Sequence, residues 1–450
     1  QITFFKVVYR RHTNFSMESI QQTFNGNATF GGDATATISR NGDLVYRMYL
    51  EHDVDITCEA GAHTYINICS NYGSNLIKEC ELEIGGQRID RQYGHWHSVY
   101  SQLTEFNPSG VHSNGLPDGV PAGDIASSAV HKSTLFNTMS GNGGPVSTGI
   151  NNEDDVTGVS LGSWTITAYD EAGGSDNAKA RIFVPLYFWF CRNPGLALPL
   201  IALQYHEVKV KMTFDDEINL FHQAIESAGS PDDLLGSSTE TMTTTKITGG
   251  AGTSAVTSSF HLWCDYIYLD TDERRRFAQV SHEYLIEQLQ FQSYSSATTL
   301  DLNFNHPVKE LIWTDSPTST TTFVAVGSAA SQTTALTKTA MLKREPSTMS
   351  GNFQLKLNGH DRFKERDTGY FTRTQVWEHH TGFGSTIKSD AIAVYSFSLK
   401  PEEHQPSGTC NFSRIDNAQL TASSGDYYVY AVNYNVLRIM SGMGGLAYSN

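Results

Sequence analysis

Two short patterns in the chain match motifs that carry catalytic or cofactor chemistry. Residues 158–162 read Gly-Val-Ser-Leu-Gly, the G-x-S-x-G spacing of a nucleophile elbow, which requires a helix directly after the serine. They lie in a Gly/Asp/Asn-rich stretch, and residues 164–167 after them are typical of a strand. Residues 442–447 match the G-x-G-x-x-A dinucleotide fingerprint, but with three residues remaining we expect no helix to face a pyrophosphate. We interpret both patterns as loop or tail composition.

Histidine pairs are the candidates for metal chemistry. His95 and His97 form an H-x-H pair of the kind used by cupin metalloenzymes, which are also β-sandwiches. The carboxylate expected five residues on is missing, because position 102 is Gln, and Glu105 is the nearest acid. We therefore predict a surface or interface pair, with no metal, no cofactor and no catalytic residue. Structural roles are expected for the pairs at 206–207, 282–283 and 379–380, which lack an H-E-x-x-H partner.

The charge distribution argues against direct binding of nucleic acid. The formal net charge is −16, and an acidic surface repels phosphate. A short basic run, residues 274–276, stands beside Asp270, Asp272 and Glu273, so we expect these acids to neutralise it within a connector. The longest apolar run, residues 182–191, contains Pro185 and is about half the length of a bilayer crossing, so we expect no membrane span.

Asparagine and cysteine residues are the candidates for covalent modification. Three N-x-S/T sequons, at Asn14, Asn27 and Asn411, are the candidate N-glycosylation sites, although three are near the chance number in a chain this rich in Asn, Ser and Thr. The six cysteines are scattered over 450 residues, unlike the dense spacing of a disulfide scaffold. We expect mostly reduced, buried thiols.

Strand patterns dominate the segments between these residues. In residues 208–214 apolar and polar side chains alternate with a period of two, and residues 80–84 and 353–357 do the same. Aromatic residues are plentiful at 11%, charged residues are few at 17%, and polar loops separate the apolar runs, which favours an all-β fold. A short helix is predicted from Asp270, because Asp270 and Glu273 have capping-box spacing.

The chain contains a weak internal repeat. A length of 450 residues exceeds what one core usually serves. Hairpins with positive-φ turns are predicted at Gly85-Gly86 and at Asn358-Gly359. Four similar pairs of segments follow the same order: 10–24 with 275–291, 82–89 with 355–363, 203–208 with 415–420, and 265–269 with 433–437.

The repeat predicts two antiparallel jelly-roll β-sandwiches of eight strands each. The first would span residues 1–270, with long inserted loops at about 105–180 and 215–258. The second would span residues 271–450, beginning with a short helical connector at about 271–282.

Six long blocks of the sequence carry a family resemblance: residues 2–15, 38–44, 82–90, 193–207, 405–417 and 433–448. These blocks resemble the major capsid proteins of nucleocytoplasmic large DNA viruses, especially those that infect algae. The resemblance implies a double jelly roll and a homotrimeric, pseudo-hexagonal capsomer in an icosahedral shell, with neighbouring capsomers and minor capsid proteins as partners. The resemblance is weakest at residues 105–180, 215–258 and 314–350.

The predicted function is therefore structural: a virion shell subunit, made and assembled in the host cytoplasm, and not an enzyme. Two similar rolls per chain would let three chains present six similar edges. Members of the family are often glycosylated on outward loops, so surface glycans are a further expected partner. A lectin-like, carbohydrate-binding attachment protein is the alternative, because the variable loops have room for a glycan site.

Overall fold

The computed structural model is mostly β-sheet with a few short helices, as predicted. Much of the two predicted long loops lies outside the part of the chain that it describes. The described residues are 13–57, 64–69, 71–105, 134–142, 150–151, 160–161, 164–167, 177–225, 243–245, 255–316, 321–325, 338–342, 346, 348–382, 384 and 390–448.

Residues up to 269, here called the first half, contain sixteen of the described strands. They are β1 Phe15–Gln22, β2 Phe24–Gly26, β3 Asp33–Thr37, β4 Leu44–Thr57, β5 Thr64–Ile68, β6 Ile77–Ile84, β7 Gln87–Tyr93, β8 Ile150–Asn151, β9 Ser160–Leu161, β10 Trp164–Thr167, β11 Asn177–Pro185, β12 Leu198–Pro199, β13 Val208–Phe214, β14 Phe221–Ile225, β15 Thr243–Thr245 and β16 Ala255–Leu269. The helices are α1 Tyr72–Leu76, α2 Gly94–Thr104, α3 Leu135–Ser140, α4 Trp189–Arg192 and α5 Glu217–Leu220, with single 3-10 turns at Pro194–Leu196 and Leu200–Ala202.

Two antiparallel sheets of the first half pack face to face. One has the order β1-β16-β4-β11-β10-β9, with β12 also paired to β4, and the other has the order β2-β3-β13-β6-β7. Val210 and Leu82 of the second sheet are fully buried against Leu50 and Leu262 of the first. The period of two predicted for residues 208–214 is confirmed, since inward and outward side chains alternate along β13. A smaller antiparallel sheet of the first half has the order β15-β14-β5-β8.

Residues from 282 on, here called the second half, form another antiparallel sheet with the order β22-β21-β26-β18-β24 and with β17 and β27 paired to β26. Its core contains the fully buried Trp313, Phe353 and Val429. The strands are β17 His282–Asp301, β18 Pro307–Asp315, β19 Thr321–Ala325, β20 Lys338–Leu342, β21 Asn352–Leu357, β22 His360–Asp361, β23 Arg366–Asp367, β24 Ile392–Ser396, β25 Cys410–Asn411, β26 Ala418–Met440 and β27 Met443–Leu446. A π-helical turn at Tyr370–Thr374 leads into α7 Gln375–His379, and a 3-10 turn lies at Phe412–Arg414.

The two halves share strand order as well as sequence motifs. In the first half β1 pairs with β16, which pairs with β4, which pairs with β11. In the second half β17 pairs with β26, which pairs with β18, which pairs with β24. Both predicted hairpins are confirmed: Gly85 and Gly86 have φ of 59° and 84°, and Asn358 and Gly359 have φ of 52° and 77°. The predicted counts of eight strands per roll stay a prediction.

The predicted connector is helix α6, Thr271–Gln279. The carboxylate of Asp270 caps it by accepting a hydrogen bond from the amide of Thr271, so the helix begins where predicted although Glu273 is not the capping partner. The expected neutralisation by the neighbouring acids is wrong for Arg274. Its guanidinium lies 2.9 Å from the carboxylate of Asp43, which is almost fully buried in the first half, and ties the connector to that half.

The thiols follow the prediction where the structure describes them. Cys69, Cys80, Cys191 and Cys264 are buried, and Cys410 is half-buried; the thiols of Cys80, Cys191, Cys264 and Cys410 are free. Burial raises the pKa of the Cys191 thiol to about 12. Cys58 lies outside the described residues.

Candidate assembly seam and the predicted sites

Helix α2 joins the two halves through an apolar face. Trp96, Val99 and Leu103, at spacings of three and four residues, lie on one side of the helix and are all buried. Trp96 packs on Tyr430 of β26, with 5.1 Å between the ring centroids. The remaining members of this cluster, here called the seam, are Ile312, Val376, Ile392, Val394 and Val432.

His95 and His97 lie at this seam inside the chain, whereas the sequence predicted a surface or interface pair. The Nδ1 atom of His95 lies 2.5 Å from the hydroxyl of Tyr430, and its ring stacks on Tyr93 with 5.0 Å between centroids. His97 is fully buried, and its Nε2 atom lies 3.0 Å from the Oε1 atom of Gln92. Burial lowers the pKa of His97 to about 3, so its imidazole is neutral. Among the described residues no His, Cys, Asp and Glu side chains gather into a group that could hold a metal.

Beside the apolar seam lies a buried ionic network. The Oε2 atom of Glu287 in β17 lies 2.5 Å from Arg192, at the end of α4, and 2.9 Å from the ammonium of Lys309 in β18. Lys309 is only 2% exposed and also donates to the carbonyl of Pro401. Burial alone would raise the pKa of Glu287, but the charges of Lys309 and Arg192 outweigh it and lower that pKa.

His380, the residue directly after α7, extends the network through Glu310 in β18. Its Nε2 atom lies 3.1 Å from Glu310 and its Nδ1 atom lies 3.0 Å from Glu402. Burial opposes the charged imidazole, but the two carboxylates outweigh burial and raise the pKa of His380 to about 9. The same pairing lowers the pKa of Glu310, although that side chain is also buried. At neutral pH the network therefore consists of paired cations and anions.

Asp90 forms a second polar contact between the halves. Its Oδ1 atom accepts a hydrogen bond from the amide of Leu289 in β17 at 3.1 Å, and its Oδ2 atom accepts one from Gln92 at 3.0 Å. The side-chain amide of Gln288 donates in return to the carbonyl of Ile89. Burial, opposed by these hydrogen bonds, raises the pKa of Asp90 to about 6.

Neither catalytic pattern has the structural context that its chemistry needs. Ser160 and Leu161 form strand β9, which pairs with strand β10 rather than leading into a helix. Residues 442–447 form a turn and strand β27, which folds back on β26. The Nδ1 atom of His206 lies 2.9 Å from the carbonyl of Gly444, and the Nε2 atom of His282 lies 2.8 Å from the carbonyl of Phe277. Both histidines thus have the structural roles that were expected.

The three sequons differ in accessibility. Asn14 and Asn27 are exposed, and Asn27 lies in the short connection between β2 and β3. Asn411 is half-buried, and its Oδ1 atom accepts a hydrogen bond from the amide of Ser413 at 3.1 Å. The hydroxyl of Ser413 in turn accepts from the amide of His306 at 2.8 Å. The side chains of the sequon at Asn411 are therefore already engaged in holding a turn.

Comparison with known proteins covers both halves. The family described as "Major capsid protein N-terminus" matches residues 3–270, and the family described as "Large eukaryotic DNA virus major capsid protein" matches residues 273–445. The chain belongs to the major capsid proteins of large eukaryotic DNA viruses.

Individual relatives agree over the full length. The major capsid protein of Pyramimonas orientalis virus is 44% identical, with 100% of this chain and 94% of that protein covered. The major capsid protein of Paramecium bursaria Chlorella virus 1 is 36% identical, with 100% and 95% covered. A solved structure described as "PBCV-1 virus capsid, quasi-atomic model" is similar with a TM-score of 0.65, 33% identity and 100% of both chains covered.

This membership identifies the fold as the double jelly roll and the protein as a structural capsid component rather than an enzyme. Its relatives are virion components, which decides between the two functions that the sequence left open in favour of the capsid subunit. None of the helices in the described ranges is long and apolar enough to cross a bilayer. In such a structural protein the histidine pair and the ionic network have structural roles.

The ionic network was the feature that sequence reasoning missed. The members are far apart in the sequence, and only one local signal points to them. Lys309 and Glu310 are consecutive charges inside strand β18, whose other positions from Val308 to Trp313 are apolar and buried. Charged residues are almost never fully buried unless they are paired, so this pair of charges predicts partners elsewhere in the chain.

Proposed function

We propose that three copies of this chain form a pseudo-hexagonal capsomer that tiles the icosahedral shell of a large double-stranded DNA virus. The observation that carries the proposal is the repeated strand order, β1-β16-β4-β11 in the first half and β17-β26-β18-β24 in the second. A subunit built twice on one plan presents two similar sides. Three such subunits around a threefold axis then present six similar edges to their neighbours.

We propose residues 1–270 and 271–450 as the two jelly rolls. Strand pairing supports this division, because the sheets of the first half use strands up to Leu269 and those of the second half begin at His282. The extents of the two matching families, residues 3–270 and 273–445, support it as well. Side-chain packing crosses the division, since Ile286, Leu437 and Ile439 lie in the hydrophobic core of the first half.

The partners proposed for the capsomer are neighbouring capsomers and minor capsid proteins beneath the shell, with assembly in the host cytoplasm. Direct contact with the genome is disfavoured by the net charge of −16. Surface glycans are proposed at Asn14 and Asn27, which are exposed, rather than at Asn411, which is engaged in a turn.

Measurement of the mass in solution tests this proposal. Light scattering coupled to gel filtration is expected to give about 150 kDa, three times the 49.7 kDa of one chain. Negative-stain images of the same peak are expected to show particles with a six-sided outline. A monomer at micromolar concentration, or a dimer, would contradict the trimer. A trimer that binds glycans on an array but does not assemble with other trimers into flat layers would favour an attachment role.

A further inference from the structure

Within one chain, α2 of the first half covers the outer face of the second-half sheet. On β18, β24 and β26 the side chains of Ile312, Val394 and Tyr430 point away from the core of their own half and toward α2. Their neighbours Trp313 and Ala393 point inward and are buried in that core. This outer face would be exposed without Trp96 and the rest of α2.

The second half has its own helix at the corresponding place in the repeat. The hairpin β6-β7 is followed by α2, and the hairpin β21-β22 is followed by the π-helical turn and α7. Each helix carries a tryptophan, but their environments are opposite. Trp96 of α2 is fully buried, whereas Trp377 of α7 is 81% exposed. Leu399, 76% exposed, lies next to α7, since its carbonyl is 3.2 Å from the Nδ1 atom of His379.

The first half has the corresponding outer face. Strands β16, β4 and β11 take the places of β26, β18 and β24, and their outward side chains include Trp263, Tyr49 and Phe183. Tyr49 stacks on Trp263 with 6.5 Å between centroids and meets Phe183 edge-on at 6.0 Å. All three rings are partly exposed, and they form an aromatic face across three strands.

We propose that α7 of one chain covers this aromatic face on the next chain, with Trp377 and Leu399 against Tyr49, Phe183 and Trp263. This inference rests on the trimer proposed above, and it identifies the contact between subunits. This contact between chains is equivalent to the packing of α2 on the second-half sheet within a chain. A ring of six alternating halves is then held together by one kind of contact. A head-to-tail contact of this kind gives a closed ring of three chains when the rotation between neighbouring chains is that of a threefold axis.

Both surfaces present aromatic residues, and such residues often contribute most of the binding free energy of an interface. Tryptophan and tyrosine are the residues most enriched where truncation weakens an interface strongly. In a free monomer Trp377 exposes most of its side chain to water, and covering it removes that apolar surface from solvent. Truncation of a central tryptophan is expected to raise the concentration at which the trimer dissociates roughly thirtyfold or more.

A pair of matched substitutions tests the contact. Trp377→Ser removes the proposed anchor, and Leu135→Ser removes a side chain that is 86% exposed on α3 of the first half. Mass photometry over a dilution series is expected to show monomers of Trp377→Ser at concentrations where wild type and Leu135→Ser remain trimers. Unchanged far-ultraviolet circular dichroism would establish that the variant is folded. A Trp377→Ser protein as trimeric as wild type would overturn the inference.

A photocrosslink locates the other side of the contact. p-Benzoylphenylalanine at position 377 is expected to crosslink chains in the wild-type background and to give peptides containing Tyr49, Phe183 or Trp263. Crosslinks that map elsewhere, in a protein that is trimeric, would overturn this inference and leave the trimer standing. A wild-type protein that is monomeric at micromolar concentration would overturn both.

Discussion

Raising the pH through 9 is expected to remove the charge of His380 and, with it, part of the stability of the ionic network. The folded-state pKa of about 9 lies above the ordinary value of 6.5, because Glu310 and Glu402 contact the two ring nitrogens. Each pKa unit corresponds to about 1.4 kcal/mol, so the charged imidazole stabilises the folded state by about 3 kcal/mol. The stabilisation is complete below pH 6.5 and is lost as the pH rises through about 9.

The assay compares wild type with His380→Gln in urea unfolding between pH 6 and pH 10. Glutamine retains polar contacts but has no titratable proton. The unfolding free energy of wild type minus that of His380→Gln should therefore decrease by about 3 kcal/mol as the pH rises from 6 to 10. His379→Gln is the matched control, because the neighbouring His379 does not contact Glu310, and it should keep the wild-type pH profile. Parallel profiles for wild type and His380→Gln would refute the reasoning.

Three further perturbations have defined outcomes. Lys309→Met removes a 2% exposed ammonium that pairs with Glu287 and donates to the carbonyl of Pro401, and thermal melting should show a loss of about 1–3 kcal/mol, because Arg192 still pairs with Glu287. Gly85→Ala should destabilise the protein more than Gly86→Ala in the same melt. Both glycines have positive φ, but an added Cβ at Gly85 would lie 2.2 Å from an imidazole nitrogen whereas the space at Gly86 is open. In a glycosylating host, Asn27→Gln should remove a glycan mass that Asn411→Gln leaves unchanged, as intact-protein mass spectrometry would show; loss with Asn411→Gln instead would contradict the accessibility argument.

Local patterns in the sequence were sufficient for the strands and turns. The alternation in residues 208–214 depends only on the two-residue period of a strand, and β13 has it. The turn at Asn358-Gly359 depends on residues that tolerate positive φ, and both have it. The start of α6 follows from the side chain of Asp270. Each of these features is determined within about ten residues of chain.

Local sequence patterns did not predict the contacts between the two halves. The apolar stripe of α2 could be recognised from its spacing, but the sequence does not say that Trp96 meets Tyr430, more than three hundred residues away. The ionic network likewise brings Arg192, Glu287 and His380 together through tertiary packing alone. The spacing of apolar residues identifies which side of a helix or strand is apolar, but it does not identify the part of the chain that covers that side.

The core of the first half includes Ile286, Leu437 and Ile439, and the last two lie in β26, far beyond the end of the first half. A ribosome therefore delivers these pieces of the first jelly roll only after most strands of the second half have been made. Chains interrupted before Leu437 keep a gap in that roll and an uncovered apolar surface.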